Sequence, residues 1–78
     1  MAYTPELLDE LNILLRYDLS TTQVGIKVHS SADPVLVSAV QRLFDKGLVS
    51  QADGGYLTAL GHEAAEQAQT LLSLLASN

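Results

Sequence analysis

A pair of adjacent glycines restricts the fold of this 78-residue chain more than any other feature. Asp53-Gly54-Gly55 lies between two short runs with the residue types of β-strands, 48–51 and 56–58. Glycine adopts the positive φ angles that tight hairpin turns require, and Asp-Gly is a frequent turn pair. The pattern therefore predicts an antiparallel hairpin over residues 48–58.

Start and stop signals predict two long helices before the hairpin. Thr4-Pro5 and Asp33-Pro34 each combine a side chain that can cap a helix with proline at the first helical position. They predict helices over residues 4–17 and 33–46. Lys46-Gly47 supplies a basic last turn and a glycine stop for the second of these.

Two further helices complete the predicted order. Ser20 and Gln23 fit a capping box and predict a short helix over residues 21–29, although Gly25 inside it costs about 1 kcal/mol. Thr58 can cap a last helix over residues 59–75. The expected fold is mainly α with a small β-hairpin, in the order helix-helix-helix-hairpin-helix, and it forms a single domain over residues 1–78.

Two segments resemble the R-L-x-x-K-G-L-V … Y-x-L-T-x-x-G signature of the MarR-like regulators: RLFDKGLV at 42–49 and GYLTALG at 55–61. The chain as a whole also resembles a short bacterial family described as candidate DNA-binding proteins of unknown role. The resemblance implies a winged helix-turn-helix. In that fold the third helix enters the major groove of DNA, the hairpin acts as a wing, and the terminal helices form a dimer.

The third predicted helix has a candidate DNA-reading face. Its apolar residues Leu36, Val40 and Leu43 predict one buried side, which leaves other positions directed outward. Serine, glutamine and arginine suit base edges, and lysine suits phosphate. The candidate DNA-binding residues are therefore Lys27, Ser38, Gln41, Arg42 and Lys46.

The charge of the chain opposes DNA binding. Nine acidic residues against four basic ones give a net charge of −5, which repels a polyanion. Asp53 also stands at the wing tip, where the resemblance implies arginine or lysine. Three phosphate contacts per subunit would give a log–log salt slope of about −2.7. We therefore expect any DNA binding to be weak, sensitive to salt and dependent on a dimer.

Apolar residues are concentrated in the first and last predicted helices. The chain is 47% hydrophobic and only 17% charged, which favours self-association of a small domain. The resemblance also implies a homodimer through these helices. Alternatively, the two helices pack only on each other within one subunit. The candidate interface residues are Leu7, Leu8, Leu11, Leu15, Leu71, Leu72, Leu74 and Leu75.

Chemistry-bearing residues do not form a recognisable active site. The segment His62-Glu63-Ala64-Ala65-Glu66 is similar to the H-E-x-x-H zinc helix, but Glu66 replaces the second histidine. His29, Ser30, Ser31 and Asp33 are better explained by a capped turn than by a catalytic triad. We therefore expect no enzymatic activity, metal or cofactor.

The cellular location expected from the sequence is cytoplasmic. The chain has no cysteine, no signal-peptide pattern and no apolar run near the ~18 residues of a membrane span. Two functions stay open at this point. One is a transcription-regulator-like, DNA-binding homodimer. The other is an acidic winged-helix module for protein interaction or dimerisation, without DNA binding and with a possible protein partner.

Overall fold

The computed structural model describes residues 2–21 and 23–77, and within them the chain is mainly helical with a small antiparallel sheet. A further strand pairs with the second strand of the hairpin, which therefore lies in the middle of the three-stranded sheet. The elements are α1 (Pro5–Leu14), β1 (Ile26–Lys27), α2 (Pro34–Asp45), β2 (Val49–Gln51), β3 (Gly54–Leu57) and α3 (Ala59–Ala76).

The three helices begin at the predicted caps. Thr4, Asp33 and Thr58 each accept a hydrogen bond from a backbone N–H in the first turn of the helix that follows, at 3.2, 2.9 and 3.0 Å respectively. These N–H groups have no acceptor inside the helix, so the caps stabilise the helix ends. α2 and α3 match their predicted spans closely, whereas α1 ends at Leu14 instead of residue 17.

The predicted hairpin is confirmed as β2 and β3. Val49 pairs with Leu57 and Gln51 with Gly54, and the register shifts between these two pairs. Gly54 and Gly55 have φ angles of +123° and +71°, in the region that favours glycine. The glycine pair therefore has the backbone role that its position in the sequence predicts.

The helix predicted over residues 21–29 is wrong, because Ile26–Lys27 form strand β1 and pair with β3. Gly25 explains the difference: a Cβ atom there would lie 2.5 Å from the carbonyl oxygen of Gly55. Glycine thus lets this segment approach the hairpin closely enough to pair with it. Thr22, inside the predicted span, lies outside the described residues. The described chain runs helix, strand, helix, hairpin, helix.

The signal read as a capping box belongs to a loop. Asp18 Oδ1 accepts hydrogen bonds from the backbone N–H and the hydroxyl of Ser20, at 2.9 and 2.6 Å. Thr21 Oγ1 accepts from the N–H of Gln23 at 3.1 Å. Such local bonds offer the backbone an alternative to helix, which is the physical reason that this prediction failed.

The core lies where α1, α2, the sheet and the first half of α3 meet. Its largest fully buried side chains are Ile13, Val40, Leu43 and Val49. Leu36, predicted to point inward with Val40 and Leu43, is only partly buried. α1 and α3 are both anchored on this one small core, through Ile13 and Leu14 of α1 and Ala65 of α3.

Close contacts hold α3 against the rest of the domain. A Cβ at Gly61 would lie 1.8 Å from the carbonyl oxygen of Leu48, so only glycine lets the helix pack here. The Tyr17 hydroxyl donates to the carbonyl oxygen of Gly55 at 3.2 Å, and Gln69 Nε2 donates to the carbonyl oxygen of Tyr17 at 3.0 Å. Burial raises the pKa of Tyr17 to about 12.

A helix that crosses a membrane must be both long and apolar. Across residues 2–21 and 23–77, none of the helices combines the length and the apolar character that a bilayer span needs.

Candidate functional site

The predicted DNA-reading residues of α2 lie in two different environments. Ser38 and Gln41 are exposed, whereas Arg42 is partly buried against α1. The Gln41 amide is itself engaged, because its Nε2 donates to Asp45 Oδ1 at 3.1 Å. The predicted DNA-reading face of α2 is therefore not uniform. Ser38 and Gln41 face solvent, whereas Arg42 contacts α1.

The helix contact is an ion cluster of Glu10, Arg42 and Lys46, here called the Glu10 cluster. Arg42 Nε donates to Glu10 Oε2 at 2.9 Å, and Lys46 Nζ donates to Glu10 Oε1. Arg42 also donates through Nη2 to the carbonyl oxygen of Glu6 at 3.2 Å. Both carboxylate oxygens of Glu10 are thus occupied by cations from α2 and its C-terminal end.

The Glu10 carboxylate is buried and ionised. Its side chain is only 5% exposed, against 32% for Arg42 and 45% for Lys46. Burial acts to raise the pKa of Glu10, but the hydrogen bonds and positive charges of Lys46 and Arg42 outweigh it and hold the pKa below its ordinary value. At neutral pH one internal negative charge therefore faces the two cations that were predicted to contact DNA.

The other predicted contacts of the DNA-binding surface lie elsewhere. Lys27 is exposed on β1 and makes no ion pair with any described residue. At the hairpin tip, the carbonyl oxygen of Asp53 accepts the N–H of Val28 at 2.8 Å. Of the predicted DNA-binding residues, Ser38, Gln41 and Lys27 are thus exposed outside the Glu10 cluster.

Sequence reasoning missed Glu10, although a signal was present. Glu10 lies three, four and seven residues before Ile13, Leu14 and Tyr17, all of which are buried. This spacing places an acidic residue on the apolar side of α1. A carboxylate in such a place requires a cationic partner, so the pattern alone could have indicated an internal ion pair.

An apolar groove separates α1 from α3, on the opposite side of α1 from the Glu10 cluster. Its volume is about 230 Å³, and the described residues that line it include no charged side chain. The lining residues are Tyr3, Leu8, Leu11, Asn12, Leu15, Ala68, Leu71, Leu72 and Leu75. Six of the eight predicted dimer residues are therefore brought together in one groove.

The two remaining predicted dimer residues lie apart from this groove. Leu7 is partly buried and lines a different cavity, beside Glu10 and Leu43. Leu74 is 70% exposed and does not line the groove.

The groove side of α3 continues a buried stripe of the same helix. Gly61, Ala65 and Ala68 are buried in the domain. Leu72 and Leu75 follow them at the same alternating spacing of four and three residues, but they are 49% and 75% exposed. Along this stripe the side chains thus change from small and buried to large and exposed.

In the part of the chain that the structure describes, histidine and acidic residues do not converge on a metal site. Across residues 2–21 and 23–77, no group of three or more His, Asp or Glu side chains is placed to hold an ion. His62 Nδ1 lies 3.1 Å from Glu66 Oε1, a pair between neighbouring turns of α3. The carbonyl oxygen of His29 closes a turn with Ala32, and Asp33 caps α2.

Comparisons with known proteins give a family. No curated protein and no solved structure matches this chain. The model of one protein family matches residues 1–76, which is nearly the whole chain. The chain therefore belongs to DUF5669, a family of unknown function.

Proposed function

We propose that this chain is a winged-helix interaction module that forms a homodimer and has no enzymatic activity. The observation that carries the proposal is the exposed apolar groove between α1 and α3. A two-fold interface would use the same groove on both subunits, so each of its leucines would be buried once in each subunit. The cytoplasmic location expected from the sequence suits this role.

The composition of the groove favours pairing. Fully burying one leucine side chain contributes roughly 1.5–3 kcal/mol, and Leu8, Leu72 and Leu75 are each about half exposed or more. Because the described residues that line the groove include no charged side chain, pairing requires no desolvation of a charge among them. The net charge of −5 is carried outside the proposed contact.

The Glu10 cluster favours protein over DNA as the partner of this dimer. Arg42 and Lys46 share one carboxylate, so Lys27 is left as the free cation on the α2 and hairpin side of the described chain. Each phosphate contact contributes about −0.9 to the log–log salt slope. One contact per subunit is far below the roughly six to ten contacts of well-characterised DNA-binding proteins.

A transcription-regulator-like, DNA-binding homodimer is the second candidate. The observation in its favour is the exposure of Ser38 and Gln41 on α2, the helix directly before the hairpin. Both residue types read base edges. In this role Lys27 would contact phosphate, and Arg42 and Lys46 would have to leave Glu10 to take part.

Light scattering tests the homodimer. We expect the wild-type protein at high micromolar concentration to show twice the mass of the 8.3-kDa chain. Leu72→Glu places a charge in the groove and should produce a monomer. Leu60→Glu is the matched control, because Leu60 is 55% exposed on the same helix but does not line the groove. A monomeric wild-type protein would contradict the proposal.

A fluorescence-anisotropy titration of duplex DNA at two salt concentrations separates the two functions. The interaction module predicts no saturable binding by the dimer even at low salt. The DNA-binding candidate predicts binding that weakens at high salt and on Arg42→Ala.

A further inference from the structure

We infer that Glu10 is an autoinhibitory residue, which holds Arg42 and Lys46 in an internal ion cluster and so keeps them from the phosphates of duplex DNA. The inference goes beyond the proposed function, since it states what prevents DNA binding and how the barrier can be removed. It does not require the wild-type chain to bind DNA.

The geometry of the cluster makes Glu10 an internal substitute for phosphate. A carboxylate, like a phosphate, offers two oxygens to cationic donors. Arg42 Nε occupies one oxygen and Lys46 Nζ occupies the other. Both cations are therefore already engaged by an anion of the same coordinating type.

Burial makes this contact hard for an external phosphate to displace. Glu10 is 5% exposed in the folded chain, so water does little to solvate its carboxylate in this arrangement. Removing the cations would leave a buried charge without compensation, which is strongly unfavourable. DNA would have to offset this cost before gaining either contact.

The two cations nevertheless reach the surface that DNA would approach. Arg42 and Lys46 keep 32% and 45% of their side-chain surface exposed. Ser38 precedes Arg42 by one helical turn and is itself exposed. Without the negative charge of Glu10, Arg42 and Lys46 could both contact phosphate beside Ser38 with no change in the fold.

Glu10→Gln tests the inference when compared with Asp9→Asn. Both variants remove one negative charge from α1, but Asp9 makes no ion pair with any described residue. We expect Glu10→Gln to bind duplex DNA more tightly than Asp9→Asn at low salt. Its log–log salt slope should be steeper by about 1.8, the value for two additional phosphate contacts. Between roughly 50 and 200 mM salt, its advantage should fall about tenfold.

Either of two results would overturn the inference: equal duplex affinity for Glu10→Gln and Asp9→Asn, or no binding by both. Should Glu10→Gln fail to fold, as seen by circular dichroism, Glu10→Met replaces it, because methionine fills a similar volume without a charge. Failure of both variants to fold would assign Glu10 a purely structural role and would also overturn the inference.

The proposed function can fail separately. A monomeric wild-type protein in light scattering would remove the homodimer and leave the comparison of Glu10→Gln with Asp9→Asn intact. Conversely, equal DNA affinity of these two variants would remove the autoinhibitory role without affecting the homodimer.

Discussion

The two sides of α1 contrast in how they meet their neighbouring helices. Toward α2, the helix contact is closed by a buried carboxylate and two cations. Toward α3, the contact opens into an apolar groove in which leucines remain exposed. The cations expected to contact DNA are engaged by a carboxylate of the domain itself, and leucines that could have joined the core remain exposed.

This contrast shows that composition does not reveal which charges are available to a partner. The chain has four basic residues, but two of them form ion pairs with Glu10, so fewer are available to a partner. An apolar surplus can likewise be hidden or displayed. Here α3 extends past the core, and residues 70–76 at its end are exposed in the described chain.

The largest expected effect on the free energy of unfolding comes from a substitution that disturbs only the packing of α3. Gly61→Ala places a Cβ against the carbonyl oxygen of Leu48, so α3 must shift and the groove should distort. We expect a loss of about 3 kcal/mol in the free energy of unfolding, measured in urea, together with weaker dimerisation.

Gly47→Ala is the control for this substitution. A Cβ at Gly47 has nothing within 4 Å, and its φ of +77° should cost only about 1 kcal/mol. Equal losses for the two glycine variants would contradict the close packing of α3.

The α2 side predicts a smaller effect that depends on pH. Glu10→Gln should lower the free energy of unfolding by about 2 kcal/mol at pH 7, because it removes charge-assisted hydrogen bonds. The pKa of Glu10 is lowered in the folded protein from an ordinary value of 4.5. Its stabilisation is therefore present above pH 4.5 and lost as the pH falls through the folded-state pKa.

Denaturation of Glu10→Gln and wild type across pH 2–7 measures this difference. The two proteins should become equally stable at the acid end, whereas Asp9→Asn should stay within about 0.5 kcal/mol of wild type at pH 7. A difference between Glu10→Gln and wild type that persists at pH 2 would argue against the ion cluster.

The smallest effect on the free energy of unfolding is expected at Tyr17, which follows α1 and forms hydrogen bonds with the hairpin and α3. Tyr17→Phe removes one hydrogen bond and should cost about 1 kcal/mol at neutral pH. Because burial raises the pKa of Tyr17 from 10.0 to about 12, the folded state favours the neutral phenol. That stabilisation is complete below pH 10 and is lost as the pH rises toward 12.

Alkaline denaturation checks this sign. Tyr17→Phe should lose less stability than wild type between pH 10 and 12, whereas Tyr56→Phe, at an exposed tyrosine, should behave like wild type. Identical alkaline behaviour of Tyr17→Phe and wild type would show that the phenol is not buried in solution.

Local signals predicted the parts of the fold that depend on neighbouring residues. Thr4, Asp33 and Thr58 cap their helices as expected, because a cap acts over three residues. The hairpin follows from its glycine pair for the same reason. Strand β1 could not be predicted in this way, since its two residues have no pattern of their own and pair only with a distant strand.

The candidate site divides in the same manner. The sequence predicted a dimer interface from eight leucines of the first and last helices. Six of them line one groove, and the pairing of two copies there stays a prediction. It did not predict the Glu10 cluster. Arg42 and Lys46 lie 32 and 36 residues from Glu10, and no local rule joins groups at that separation.

The sequence by itself determined the helix starts, the hairpin, the acidic charge and the apolar surplus, because each depends on composition or on short-range backbone chemistry. Only the tertiary structure decided which charges face solvent and which leucines lack cover. Both depend on how α2 and α3 pack against α1. That packing places a buried carboxylate beside two cations on one side of α1 and leaves the apolar groove on the other.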